Sequence, residues 1–89
     1  MVYADQYINK LRKSGLRPTK QRIKICEVLF DVDQTFHFTI KELVKIIENQ
    51  AKIKVSLATV YNTVHAFINK GYLKEIPIKS SVSYYDTNT

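Results

Sequence analysis

Eighty-nine residues provide for one domain, near the lower limit at which a chain buries a self-sufficient apolar core. The chain is 45% hydrophobic and 25% charged with two glycines and two prolines, which excludes a disordered tract, and its net charge of +6 favours a polyanionic partner, nucleic acid before an anionic membrane. A single cysteine, Cys26, excludes an internal disulfide and any CxxC metal motif, so a reducing cytoplasm is the expected location; no apolar run is long enough to span a bilayer, and MVYADQY is not a signal peptide.

Tyr3, Tyr7, Ile8 and Leu11 recur at helical spacing over residues 3–14, and Gly15 closes that first helix as a C-terminal cap. In the loop that follows, Pro18 biases Arg17 toward an extended backbone, and Thr19 is a suitable N-cap for a second helix over residues 19–31. Ile23, Cys26, Val28, Leu29 and Phe30 form its inner face, with Cys26 a small core residue rather than a reactive thiol. Residues 31–38 are a connector. Thr39 and Glu42 then make a capping box that opens a third helix to about residue 50, with Leu43, Val44, Ile46 and Ile47 inward. A short link leads to Ser56, the N-cap of a fourth helix that Gly71 ends. Beyond it the period changes to that of strands: Leu73, Ile76 and Ile78, then Val82, Tyr84 and Tyr85, read as a hairpin around Lys79-Ser80-Ser81, with Pro77 confining its strand to an edge. The expected fold is mainly α with a small β-hairpin, a winged helix-turn-helix of four helices and a two-stranded wing.

The fourth helix, SLATVYNTVHAFINKG, has no carboxylate. At about 100° per residue, Leu57, Val60, Val64, Phe67 and Ile68 form one apolar stripe and are assigned to the core. Ala58, Thr59, Asn62, Thr63, Ala66 and Asn69 occupy the other side, and Tyr61 stands at the boundary with its hydroxyl able to reach outward. Such a face suits the major groove. A carboxylate there would meet closely spaced phosphates, and long side chains would hold the backbone away from base edges. Asn can bond adenine in bidentate fashion, and Ala or a Thr methyl can pack on a thymine methyl. The free N–H groups near Ser56 and Leu57 favour a phosphate. The basic residues are gathered elsewhere: Lys10, Arg12, Lys13, Arg17, Lys20, Arg22 and Lys24 fall in one acid-free stretch, and Lys79 sits in the wing. A helix packed on another subunit would also carry small side chains, and a winged-helix protein-interaction module is the alternative reading. An enzyme has no support: there is no paired-carboxylate, Ser/His/Asp or Cys/His constellation and no Gly-rich phosphate loop.

The segments GLRPTKQRIKICEVLF, HFTIKEL, SLATVYNTVHAF and YYDTN resemble, in order and over nearly the whole chain, the N-terminal domain of the ferric uptake regulator family. LRPTKQR with SLATVYNT is most similar to its iron response regulator branch. The resemblance implies a metal- or haem-responsive transcription regulator that binds AT-rich inverted repeats as a homodimer. It implies base contacts from Tyr61, minor-groove entry by Arg17 and a phosphate contact from Thr59; Thr19 and Arg22 would anchor a further phosphate at the start of the second helix. Many members carry Arg where Asn62 stands, so readout here is expected to move toward adenine or a nearby methyl.

The resemblance also implies a regulatory metal site to which His37 and Asp86 contribute. Two N/O ligands do not close a Zn²⁺ or Fe²⁺ site, and His37 also reads as a connector histidine with a local hydrogen bond. His65 has no second ligand near it in sequence. The chain ends where the family's His-rich segment and dimerisation domain begin. The expectation is therefore a DNA-binding domain over residues 1–89, with Fe(II), Mn(II), Zn(II) or haem as effector of a longer protein and no certain cofactor in this part.

Overall fold

The computed structural model describes residues 2–31, 37–76 and 82–87, with side chains from residue 5 onward. Its elements in chain order are α1 (Val2–Lys13), α2 (Lys20–Phe30), β1 (His37–Phe38), α3 (Ile40–Ala51), α4 (Leu57–Asn69), β2 (Lys74–Ile76) and β3 (Tyr84–Asp86). Capping chemistry sets most helix ends. The Thr19 hydroxyl accepts from the Arg22 N–H at 3.3 Å. The Thr39 hydroxyl accepts from the Glu42 N–H at 3.1 Å while the Glu42 carboxylate accepts from the Thr39 N–H at 2.9 Å, so the expected capping box is complete. Ser56 caps α4 by accepting from the Thr59 N–H at 3.0 Å. Each such cap is worth about 1 kcal/mol of helix stability.

Gly15 and Gly71 stop α1 and α4 by one device. Both have positive φ, +78° and +82°, a region open to glycine at little cost. The reversal lets the Leu16 N–H return to the Leu11 carbonyl at 2.9 Å and the Tyr72 N–H to the Phe67 carbonyl at 2.9 Å, the bond that closes a Schellman motif. The apolar contact that accompanies this motif is present in the second case as an edge-on Phe67–Tyr72 ring pair with centroids 5.8 Å apart.

The core lies where the four helices meet the sheet. Tyr7 and Leu11 of α1, Ile25, Cys26, Val28 and Leu29 of α2, Leu43 and Ile47 of α3, and Val60, Val64 and Phe67 of α4 are buried in it, with Phe38, Val55, Leu73 and Tyr85 from the connections and strands. Helix α2 packs against α1, α3 and α4, and α3 against α4. The hairpin β2–β3 forms in the register Lys74↔Asp86, Glu75↔Tyr85, Ile76↔Tyr84. A third strand joins it: β1 pairs antiparallel with β3 through His37↔Asp86 and Phe38↔Tyr85, giving the order β1-β3-β2. The two-stranded wing is thus a three-stranded sheet. Two residues with one buried side chain are too short a run to announce a strand, and pairing with β3 is what makes them one. Pro77, Ile78, Lys79, Ser80 and Ser81 lie outside the described residues. Among the described residues no helix is long and apolar enough to cross a membrane.

Cys26 is fully buried, and burial pushes its thiol pKa up to about 12, although the Lys10 ammonium favours the thiolate. The nucleophilic thiolate is therefore negligible in the folded chain at pH 8. A disulfide reagent added at that pH should label the native chain no faster than it unfolds and label it at once in denaturant. Rapid native-state labelling would contradict the buried placement.

Candidate nucleic-acid interface

Helix α4 is packed along one edge and open along the other. Val60, Thr63, Val64 and Phe67 are completely buried. Leu57, Ala58, Tyr61, Asn62 and Asn69 are exposed, and Thr59, His65, Ala66 and Ile68 are half-buried. The buried stripe is rotated by roughly 40° from the one read off the helical wheel, which corrects two assignments. Leu57, assigned to the core, is 51% exposed. It is the first helical residue, so no preceding turn of α4 covers it. Thr63, assigned to the open face, is buried; its hydroxyl donates to the Thr59 carbonyl at 2.7 Å, so the polar atom is satisfied inside the helix and the methyl serves as core. With these changes the open face is apolar and amide in character: Leu57, Ala58, the Tyr61 ring at 50% exposure, and Asn62. No carboxylate lies on α4.

Thr59 looks toward α2. Together with Thr19, Lys20, Gln21 and Arg22 it lines a recess of about 410 Å³, formed where the first turns of α2 and α4 meet. The sequence pairs Thr19 with Arg22 and sets Thr59 apart on another helix; the fold brings the three together. Gln21 was missed, and only its place in the first turn of α2 could have marked it. Arg22 is folded back rather than extended. One guanidinium nitrogen, Nη1, donates to the Arg17 carbonyl at 3.1 Å, and the Arg17 carbonyl also accepts from the Thr19 N–H at 2.9 Å. These bonds fix the loop and leave the Arg17 side chain exposed. Arg22 Nε is buried with no hydrogen-bond partner among the described residues, a donor whose desolvation would be offset by an anionic acceptor entering the recess.

The other cations of the basic stretch differ in availability. Lys10 is clamped between two aromatic faces, its Nζ 4.2 Å from the Phe30 ring centroid and 4.3 Å from that of Tyr72. Partial burial pushes its pKa down, while the rings supply cation–π attraction. Lys24 pairs with Glu27 at 3.0 Å. Arg12, Lys13, Arg17 and Lys20 remain exposed. Lys79 lies outside the described residues.

His37 and Asp86 face each other across β1 and β3, with Nε2 3.2 Å from Oδ2. The histidine side chain is 65% exposed and the aspartate 10%. Two donors bound to one ion at about 2.1 Å would stand roughly 3.0–3.4 Å apart, so the pair's spacing fits two corners of a metal site. Its number does not: among the described residues no group of three His, Cys, Asp or Glu side chains converges. What the structure shows at this place is a His–Asp ion pair across two strands.

A sequence description of the Ferric uptake regulator family matches residues 13–89. The peroxide-responsive repressor PerR of Staphylococcus epidermidis is 33% identical over 85 residues, covering 96% of this chain and 55% of that protein. The ferric uptake regulation protein of Synechocystis is 30% identical over 83 residues, covering 93% of this chain and 50% of that one. Among solved structures, the ferric uptake regulator from Pseudomonas aeruginosa with manganese superposes with a TM-score of 0.74 at 26% identity, over 93% of this chain and 60% of that one. The Vibrio cholerae ferric uptake regulator gives 0.73 at 28% identity, over 92% and 61%. This chain spans about half the length of the curated relatives it matches. These relatives do not single out the iron response regulator branch that LRPTKQR and SLATVYNT suggest.

The rotated face makes a sharp contrast between neighbours. Thr63→Lys should lower unfolding stability by about 2–4 kcal/mol, because it forces a charge into a filled site. Asn62→Lys, on the open side, should change it by less than about 0.5 kcal/mol. Denaturant melts of the two variants read this directly, and equal losses would contradict the placement of Thr63.

Proposed function

Since this chain belongs to the ferric uptake regulator family, we propose that it is the DNA-binding part of a metal- or haem-responsive transcriptional regulator that works in the cytoplasm. The observation that carries this reading is the open, acid-free first half of α4 lying against the start of α2, where Thr59, Thr19 and Arg22 share one recess. The first turns of α4 enter the major groove. Ala58, Tyr61 and Asn62 meet base edges there, with Leu57 adding apolar surface for a thymine methyl. Thr59, Ser56 and the recess at Thr19, Gln21 and Arg22 hold backbone phosphate, for which helix N-termini are suited. The Arg22 Nε, buried without an acceptor among the described residues, gains one. Arg17, exposed on a loop that its own carbonyl anchors, reaches the adjacent minor groove, and Lys79, which follows β2 in sequence, meets the backbone.

The longer protein acts as a homodimer, and its two copies of α4 read the halves of an AT-rich inverted repeat. His37 and Asp86 contribute two donors to its regulatory site, with Fe(II), Mn(II), Zn(II) or haem as effector. A divalent cation held by His37 and Asp86 would offset the aspartate charge and would need further donors from outside the described residues. Asp86 is held by β3 and His37 by β1, so the sheet presets their spacing. A protein-interaction module would instead dock α4 on a polypeptide and would show no affinity for duplex.

Fluorescence anisotropy with an AT-rich inverted-repeat duplex tests the reading. Tyr61→Ala and Arg17→Ala should each weaken binding by about ten-fold or more, the range of one good base contact. Log affinity should fall with log salt at about 0.9 per neutralised phosphate. A salt-independent affinity, or both variants binding as tightly as the parent, would overturn the assignment.

A further inference from the structure

One turn beyond Tyr61, a side chain of β3 reaches α4. His65 points to the same side as Tyr61, one turn further on. Its imidazole stacks on the Tyr61 ring with centroids 4.1 Å apart and planes 34° from parallel. On its other side it meets Tyr85 of β3 edge-on, centroids 5.8 Å apart, with Nε2 3.3 Å from the Tyr85 hydroxyl. That distance is at the long end of hydrogen bonding, and either imidazole tautomer can make the bond, since a phenol both donates and accepts. Tyr85 is itself packed into the core: 2% exposed, tilted against Phe38 at 5.8 Å and paired across the sheet with both Phe38 and Glu75. Burial pushes its hydroxyl pKa up, which keeps it a neutral phenol at physiological pH. The core thus holds Tyr85, Tyr85 holds His65, and His65 holds the half-exposed Tyr61 ring.

We propose that His65 is a positioning residue for Tyr61, fixing the phenol in one orientation on the open face of α4 by tying it through Tyr85 to the sheet. A half-exposed tyrosine on a helix ordinarily exchanges rotamers on the ps–ns scale, and freezing it on binding costs entropy. A ring already stacked has lost that freedom, so its contact is preorganised. A histidine suits this place because its flat ring stacks on one neighbour while its edge bonds another. Phe would keep the stack and lose the tether, and Gln would keep an acceptor and lose the stack.

The consequence for affinity rests on the DNA-binding reading, whereas the positioning itself does not, so the test has two arms. In the first, the tyrosines carry a fluorine label, and the Tyr61 signal is identified by its loss in Tyr61→Phe. His65→Ala should shift and narrow that signal in the free chain, and Tyr85→Phe should move it in the same direction by less. A signal unmoved by His65→Ala overturns the proposal. In the second arm, His65→Ala should weaken binding to the AT-rich inverted-repeat duplex by about three- to ten-fold, the range of one aromatic pair's coupling. His65→Phe, which keeps the stack, should lose less. In a Tyr61→Ala background the histidine change should have no further effect. Losses that add would mean that His65 acts without Tyr61, and the proposal falls. A parent chain that binds no duplex would sink the DNA-binding reading, and the fluorine arm alone would then decide the role of His65.

Discussion

Holding α4 firmly along one edge while its first two turns stay bare is the constraint on which this domain is built. A helix of 13 residues has little stability of its own in water and depends on packing of its apolar face. Here that face is narrow: Val60, Thr63, Val64 and Phe67, all at zero exposure. The compensation is at the ends. Ser56 satisfies the first turn and Gly71 allows the last one to close on itself. Phe67 is gripped further by Phe30 at 5.7 Å and by Tyr72. A helix secured in this way can leave Leu57, Ala58, Tyr61 and Asn62 in water, where short or flat side chains allow close approach to a partner.

Charge is distributed by the same logic. A row of seven cations in sequence suggests a uniform basic face, yet the fold uses them for different ends. Lys10 ties α1 to α2 and to the turn after α4 through two rings, Lys24 neutralises a neighbour on its own helix, and Arg22 braces the loop that carries Arg17. The cations that remain in solvent flank the recess and the end of α1. In the proposed role, structural cations keep the binding elements in register and exposed ones meet phosphate.

Much of this was legible in residues alone, because it is local chemistry. Thr19, Thr39 with Glu42, Ser56, Gly15 and Gly71 act within one helical turn, and each is where it was expected. What sequence did not disclose is what depends on a distant element. The wheel for α4 has no marker for which of two adjacent apolar columns meets α2 and α3, so Leu57 and Thr63 exchanged sides. A threonine whose hydroxyl bonds its own helix looks polar in sequence and packs as an apolar residue. Strand β1 exists only because β3 lies beside it, 46 residues further along if counted from Phe38 to Tyr84. The left-handed Lys52 that ends α3, φ 57°, carries none of the glycine signal that marked the other two helix ends. His65 has no second ligand near it in sequence; its partners in the fold are Tyr61, one turn away on α4, and Tyr85 on β3.

The sheet connects the two regions that matter most. Asp86 and Tyr85 are adjacent on β3, the first beside His37 and the second beside His65. The most direct measurement of the central idea, that the bare half of α4 and the start of α2 form one surface for duplex, is an amide chemical-shift titration of the labelled chain with an AT-rich inverted-repeat duplex. The account predicts that the largest changes fall on residues 17–22 and 56–63, with the outer side of α3 at Lys41, Lys45 and Asn49 silent. Changes centred on α3 or the start of α1, with residues 56–63 unmoved, would contradict it.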